Sequence, residues 1–191
     1  ILRAAGLFLA GAALVLLPVA ARNKAVGGEF YLTTSQFGPN FYIGNNPRAT
    51  GAYDALREGR GSAEFEREDA TTIAEHAAGR TLTPSEVSGF WTGQAFAYIT
   101  AQPGAWLRLL WKKFGLLWNA TEMMDTESQQ RYADWSLPLR LLGLIGHFGV
   151  LVPLAIAGLA ASWPGRRRLF VIYLMAAAYA ASVVMFYVFG R

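Results

Sequence analysis

Cysteine is absent from this chain, and histidine occurs only at His76 and His147. The first absence removes any disulfide framework and any thiolate metal site, and it leaves the redox compartment unread. The second leaves two imidazoles in unrelated segments, too few to assemble a His-based metal centre. Acidic residues are missing from both ends, since all 13 Asp and Glu lie between Glu29 and Asp134. No glycine-rich phosphate loop precedes a predicted helix, the GxGxxG pattern is absent, and no nucleophile motif occurs. The net charge of +4 does not point to nucleic acid. The basic residues outside the middle sit beside apolar runs, where lipid headgroups account for them.

Apolar side chains are abundant: 53% of the 191 residues are hydrophobic and 14% are aromatic. That balance departs from an ordinary soluble domain. A bilayer core needs about 20 mostly apolar residues in helical form, and three runs qualify: Ala4–Ala21, Leu141–Trp163 and Leu169–Phe189. None contains Asp, Glu, Lys or Arg. Pro18 and Pro153 are tolerable there because neighbouring helices can satisfy the freed carbonyls. The expected fold class is a polytopic α-helical membrane protein with three transmembrane helices and a mostly helical α+β extracytoplasmic insert. Its expected divisions are a span over 1–21, the insert over 22–137, a span over 138–163, a cytoplasmic hairpin over 164–168 and a span over 169–190. The three Arg of "PGRRR" set that orientation by the positive-inside rule, with Arg3 on the same side. The chain opens on one apolar run without a Met and closes directly after another, so it reads as a fragment of a longer protein.

Within the insert, "EFYLTTS" and "FYI" read as two short strands ended by the turns "FGPN" and "GNNP". Phe65, Ile73 and Ala77 mark a helix that stops at Gly79. "TPSE" is the sharpest local signal. Thr83 suits the N-cap, Pro84 the first helical position and Glu86 the far side of a capping box, opening a helix to about Gln102. Its predicted inner face is Val87, Phe90, Trp91, Gln94 and Tyr98. Residues 104–118 read as a basic amphipathic helix. Trp106, Leu110, Phe114 and Leu117 lie along one side, broadened by Trp111 and Trp118, and Arg108, Lys112 and Lys113 lie on the other. Such a helix suits the membrane interface.

Few residues carry obvious chemistry. His76 reads as solvated, and His147 lies within the second span, where a polar side chain usually faces the bundle interior. Glu64, Glu66, Glu68 and Asp69 alternate with Arg67 in the pattern of a solvated face. Glu122 and Asp125, three apart, could share a helical face near the membrane. The densest cluster is "FGPNFYIGNNPRATGAY", Phe37 to Tyr53. Asn40, Tyr42, Asn45, Asn46 and Arg48 are residue types that hold sugars, through ring faces and through planar amides or forks on adjacent hydroxyls. Asn, Gly and Pro are equally what tight turns demand, so composition leaves both readings open.

The running order of these motifs resembles a known family. "LPVAARNKAVGGEFYLTTSQFGPNFYIGNNPRATGAY" is similar to the segment after a late transmembrane helix in bacterial integral-membrane glycosyltransferases of family 39. Their relatives include the dolichyl-phosphate-mannose–protein mannosyltransferases and the lipid A aminoarabinose transferases. "GRTLTPSEVSGFW", "QPGAWLRLLWKKFGLLWN", Glu122 and the closing "FYVFGR" follow in the same order. The resemblance implies a C-type glycosyltransferase fold in a bacterial inner membrane, with a polyprenyl-phosphate sugar donor. The acceptor would be a lipid, a glycan or a protein. It implies that this external loop helps hold donor or acceptor, which makes Asn40, Tyr42, Asn45, Asn46, Arg48 and Glu122 the candidates for substrate contact. A lipid phosphate in the headgroup layer needs cations at span ends, where Arg22 and Arg191 lie. The family's catalytic Asp lies in an earlier external loop, so no catalytic residue is expected here, and any divalent cation would belong to the intact enzyme. A second class also fits the composition, a non-catalytic membrane sensor whose insert binds a ligand. The length of the intact reading frame separates the two. A transporter subunit fits less well, because the three apolar runs hold no Asp, Glu, Lys or Arg and His147 is their one histidine.

Overall fold

The computed structural model describes residues 2–32, 34–119 and 129–188. Its first helix, α1 (Leu2–Gly27), carries Pro18 inside it and continues past Arg22 and Lys24. Then come α2 (Phe37–Gly44), α3 (Ala63–Ala78), α4 (Pro84–Ala101) and α5 (Pro103–Leu117). The remainder is α6 (Gln129–Trp135), α7 (Leu137–Gly146), α8 (Phe148–Ser162), a 3-10 turn at Trp163–Gly165 and α9 (Arg166–Met185).

Among the described residues two segments are long and apolar enough to cross a membrane: Ala5–Gly27, 23 residues, and Leu137–Met185, 49 residues. Of their most apolar stretches only 6% and 0% is covered by the rest of the chain. Side chains such as Phe8, Leu14, Leu142 and Met175 therefore stand bare. Apolar surface that extensive calls for lipid or further helices against it. The second segment breaks at His147, an exposed residue whose extended backbone separates α7 from α8. In the "PGRRR" stretch the 3-10 turn at Trp163–Gly165 is followed directly by α9, which starts at Arg166.

The insert departs from the α+β expectation. Among the described residues no strand forms, and the only ladder-like contact is an isolated bridge between Ala52 and Val188. "FGPNFYIG", expected to be a turn and a strand, is α2. Pro39 is acceptable there because first-turn N–H groups have no intrahelical acceptor to lose. The glycines that suggested turns serve close approach instead. A Cβ on Gly38 would lie 1.9 Å from the Ser88 carbonyl oxygen, and one on Gly44 would lie 1.8 Å from that of Phe186. Gly38 thus lets α2 seat directly on α4, and Gly44 lets it seat against the chain leaving α9.

The capping box forms as expected. Glu86 N–H donates to Thr83 Oγ1 at 3.4 Å, and Thr83 N–H donates to Glu86 Oε2 at 2.9 Å. From that start α4 turns Val87, Trp91, Ala95 and Tyr98 inward. Gln94, expected on this face, is exposed, and Ala95 takes its place. The α3–α4 core joins Ala70, Ala74, Val87 and Trp91, with Tyr42, Leu56, Ile73, Leu82 and Phe90 packed around them. Trp91 Nε1 donates to the Ala70 carbonyl at 3.0 Å, so the largest core ring keeps its polar atom satisfied. A second correction concerns the acidic cluster. Asp69 is only 2% exposed and accepts from Arg60 Nε at 2.9 Å, with Arg57 3.4 Å away. Of the other acids of that run, Glu64 and Glu68 face outward and Glu66 is half-buried.

At the end of α1 the chain is clasped to α4. Ser85 N–H donates to Glu29 Oε2 at 2.9 Å, and Ser85 Oγ donates to the Tyr31 hydroxyl at 3.1 Å. The Tyr31 hydroxyl in turn donates to Glu29, and this bond, more than any other contact, holds the Glu29 carboxyl below its usual range. The clasp fixes the base of the insert to the first apolar helix.

Candidate functional site

The segment that held the densest sequence signal becomes a junction. Asn45, at the C-terminal end of α2, is fully buried. Its Nδ2 donates to the Phe41 carbonyl at 2.9 Å and to the Met185 carbonyl at 2.7 Å. Its Oδ1 accepts from Trp106 Nε1 at 2.9 Å and from Lys113 Nζ at 3.3 Å. A primary amide has two donors and two acceptor sites, and all four are used inside the protein. One side chain therefore ties α2, α5 and the end of α9 together.

Lys113 is the other half of this junction. Its spacing groups it with Arg108 and Lys112 on the basic side of an interfacial helix, yet it is fully buried. Leu109 and Leu117 lie on the same inner side, and Arg108 and Lys112 remain exposed. No carboxylate pairs with Lys113 among the described residues. Burial pulls its ammonium down from 10.5 to about 8, because the charged form loses its hydration. Trp106 is likewise turned inward, whereas Trp111 and Trp118 point away from the protein.

Asn46 is also occupied. Its Nδ2 donates to the Tyr42 and Ile43 carbonyls at 2.9 and 3.1 Å, and its Oδ1 accepts from Arg48 N–H at 2.8 Å. It closes the helix end and shapes the following turn. Tyr42 packs its ring 4.7 Å from that of Trp91, on the core side of α2. Arg48 is exposed beyond the turn, and Arg22 is exposed on α1. Glu122 and Arg191 lie outside the described residues.

Asn40, one of the residues singled out by the sequence, lines a sizeable cavity. That cavity is an open cleft of about 500 Å³ between α2 and the C-terminal part of α9. Phe37, Val183 and Phe186 form apolar wall, and Thr34, Gln36, Asn40, Tyr179, Ser182 and Tyr187 supply amides and hydroxyls. Tyr187 donates to Asn40 Oδ1 at 2.7 Å, while Asn40 Nδ2 donates to the Gln36 carbonyl at 3.0 Å. The wall is stiffened by rings: Phe37 stacks on Phe41 at 5.6 Å, and both meet Phe186 edge-on at 5.6 and 5.9 Å. Behind Asn40 a narrow crevice leads toward Tyr53, Arg60 and Asp69.

Sequence reasoning missed Gln36, Ser182 and Tyr187 as site residues. The available signal was the hydroxyl series Tyr179, Ser182 and Tyr187 near the end of an otherwise apolar run. The arrangement can accommodate a molecule with a long apolar part and a hydrogen-bonding head. The chain matches no known family model, no curated protein and no solved structure.

Proposed function

We propose that this chain is part of a membrane glycosyltransferase that takes its sugar from a polyprenyl-phosphate donor outside the cytoplasm. The cleft between α2 and α9 is the observation that carries this reading. It lies at the end of an apolar segment long enough to span a bilayer, and it combines an apolar wall with clustered amides and hydroxyls. A lipid-linked sugar presents that same combination in the headgroup layer. The ordered motifs from "LPVAARN" to "FYVFGR" support the same class. In this reading 138–163 and 169–190 cross separately, which makes three spans with 1–21, and 22–137 forms the extracytoplasmic insert. Asn40 contacts the donor's polar end, whereas Asn45 and Asn46 hold the loop in shape. Arg22 and Arg191 serve the phosphate, Arg48 and Glu122 contact substrate, and Tyr42 supports α2 from the core. Catalysis is supplied by a carboxylate elsewhere in the intact enzyme.

The test is binding of a polyprenyl phosphate to the chain in lipid nanodiscs, read by native mass spectrometry. Val183→Trp fills the cleft from a half-buried position on α9 and should abolish binding, with Asn40→Ala weakening it. Equal binding by wild type and Val183→Trp would remove the cleft as the donor site.

A further inference from the structure

The outer face of α5 carries a continuous run of exposed apolar side chains. Leu107, Trp111, Phe114 and Trp118 are 59%, 75%, 41% and 44% exposed. The three rings form a ladder: Trp111 stacks on Phe114 at 5.5 Å, and Phe114 meets Trp118 edge-on at 5.7 Å. At 3.6 residues per turn these four side chains fall on one stripe, and Arg108 and Lys112 fall roughly 100° to one side of it. Both cations are exposed. The opposite side of α5, with Leu109, Lys113 and Leu117, is buried. The stripe is therefore not a core face left uncovered. The helix already has its core face, and this is a second one.

We propose that α5 lies in the headgroup layer of an anionic bilayer, with the ring stripe inserted and with Arg108 and Lys112 paired to lipid phosphates. Three observations fix lipid as the occupant. The helix packs against α9, which belongs to an apolar segment long enough to span a membrane, so the stripe sits near that segment's end. The rings are of the kind enriched where hydrocarbon meets headgroups. The flanking cations complement anionic lipid, and no acidic residue occurs anywhere in α5. The inference rests on the membrane placement of α9 and not on the glycosyltransferase reading. It stands if the chain binds no polyprenyl phosphate.

The absence of cysteine makes the test clean. Trp111→Cys carries an environment-sensitive fluorophore, and Glu64→Cys, exposed on α3, serves as the aqueous reference. The full chain is placed in nanodiscs of phosphatidylcholine alone, or of phosphatidylcholine and phosphatidylglycerol in equal parts. In the mixed discs the label at 111 should emit as in hydrocarbon and be quenched by chain-brominated lipid, while the label at 64 should not. Neutralising Arg108 or Lys112 to Gln should cut the inserted-to-solvated ratio about fivefold for each cation removed. High salt should reproduce that loss in the chain with both cations intact, which covers the case where the Gln variants fold poorly. A water-exposed label at 111 in both kinds of disc would overturn the proposal. So would insertion that is equal in both and insensitive to salt.

Discussion

Replacing Asn45 with Ala removes four hydrogen bonds at once and leaves their partners inside the protein. The Lys113 ammonium then has no acceptor among the described residues, Trp106 Nε1 loses its carbonyl-type partner, and the Met185 carbonyl loses its donor. A buried polar group left unsatisfied costs about 1–3 kcal/mol, and a charged one more. Shared strain relief among three neighbouring groups reduces the sum, so the expected loss is on the order of 3–5 kcal/mol. For a domain of this size that lowers the melting temperature by on the order of 10 °C. The assay is thermal unfolding of the chain in nanodiscs, followed by near-ultraviolet circular dichroism, which senses Trp106. Adding Lys113→Met to Asn45→Ala removes the stranded charge and should recover part of the loss, so the double variant should be less destabilised than the two single effects combined. A melting temperature within a few degrees of wild type for Asn45→Ala would refute the reasoning. If transfer by the intact enzyme were lost at the same time, the amide would be gripping substrate instead of holding the loop.

Other consequences follow from particular residues. Because burial lowers the Lys113 ammonium to about 8, the unfolded chain binds more protons than the folded one between about pH 8 and 10.5. Stability should therefore rise with pH across that window, by on the order of 3 kcal/mol in total, and Lys113→Met should flatten the profile. A flat wild-type profile would mean that the amine is hydrated. Thr83→Ala removes the Oγ1 acceptor of the Glu86 N–H, while the backbone N–H at 83 can still donate to Glu86 Oε2, and should cost about 1 kcal/mol in thermal unfolding, with Thr83→Ser keeping the cap. Gly38→Ala forces a methyl group into the Ser88 backbone and should cost about 3 kcal/mol, the upper end of overpacking. A neutral result in chemical denaturation would show that α2 does not sit so tightly on α4.

The elements that were legible in the sequence are those specified by local rules. The capping box at Thr83–Glu86 sets the start of α4 whatever the rest of the chain does, and Gly79 closes α3 in the left-handed conformation. The apolar runs were legible for the same reason, since length and hydropathy suffice. Non-local causes hid the rest. "FGPN" and "GNNP" look like turns because Gly38 and Gly44 match turn chemistry, but the reason for glycine is the backbone of Ser88, 50 residues away from Gly38, and of Phe186, 142 residues away from Gly44. Lys113 grouped with the outward cations of an interfacial helix because a helical wheel cannot tell which of two amphipathic faces packs inward. Only the position of Asn45, on another helix, decides it. Asp69 was hidden among outward-facing acids because its partners Arg57 and Arg60 come from the preceding loop. The cleft at Asn40 was half legible: its amide lay in the cluster that stood out, while Ser182 and Tyr187 belong to an apolar run that reads only as a span.

The most direct test of the central claim is sugar transfer by the intact reading frame that contains this chain, reconstituted in proteoliposomes with a polyprenyl-phosphate sugar. The account predicts transfer from the lipid-linked donor and none from the corresponding nucleotide sugar, with Val183→Trp reducing the rate at least tenfold in a protein that melts like wild type. Transfer from the nucleotide sugar, or a Val183→Trp enzyme of undiminished rate, would contradict it.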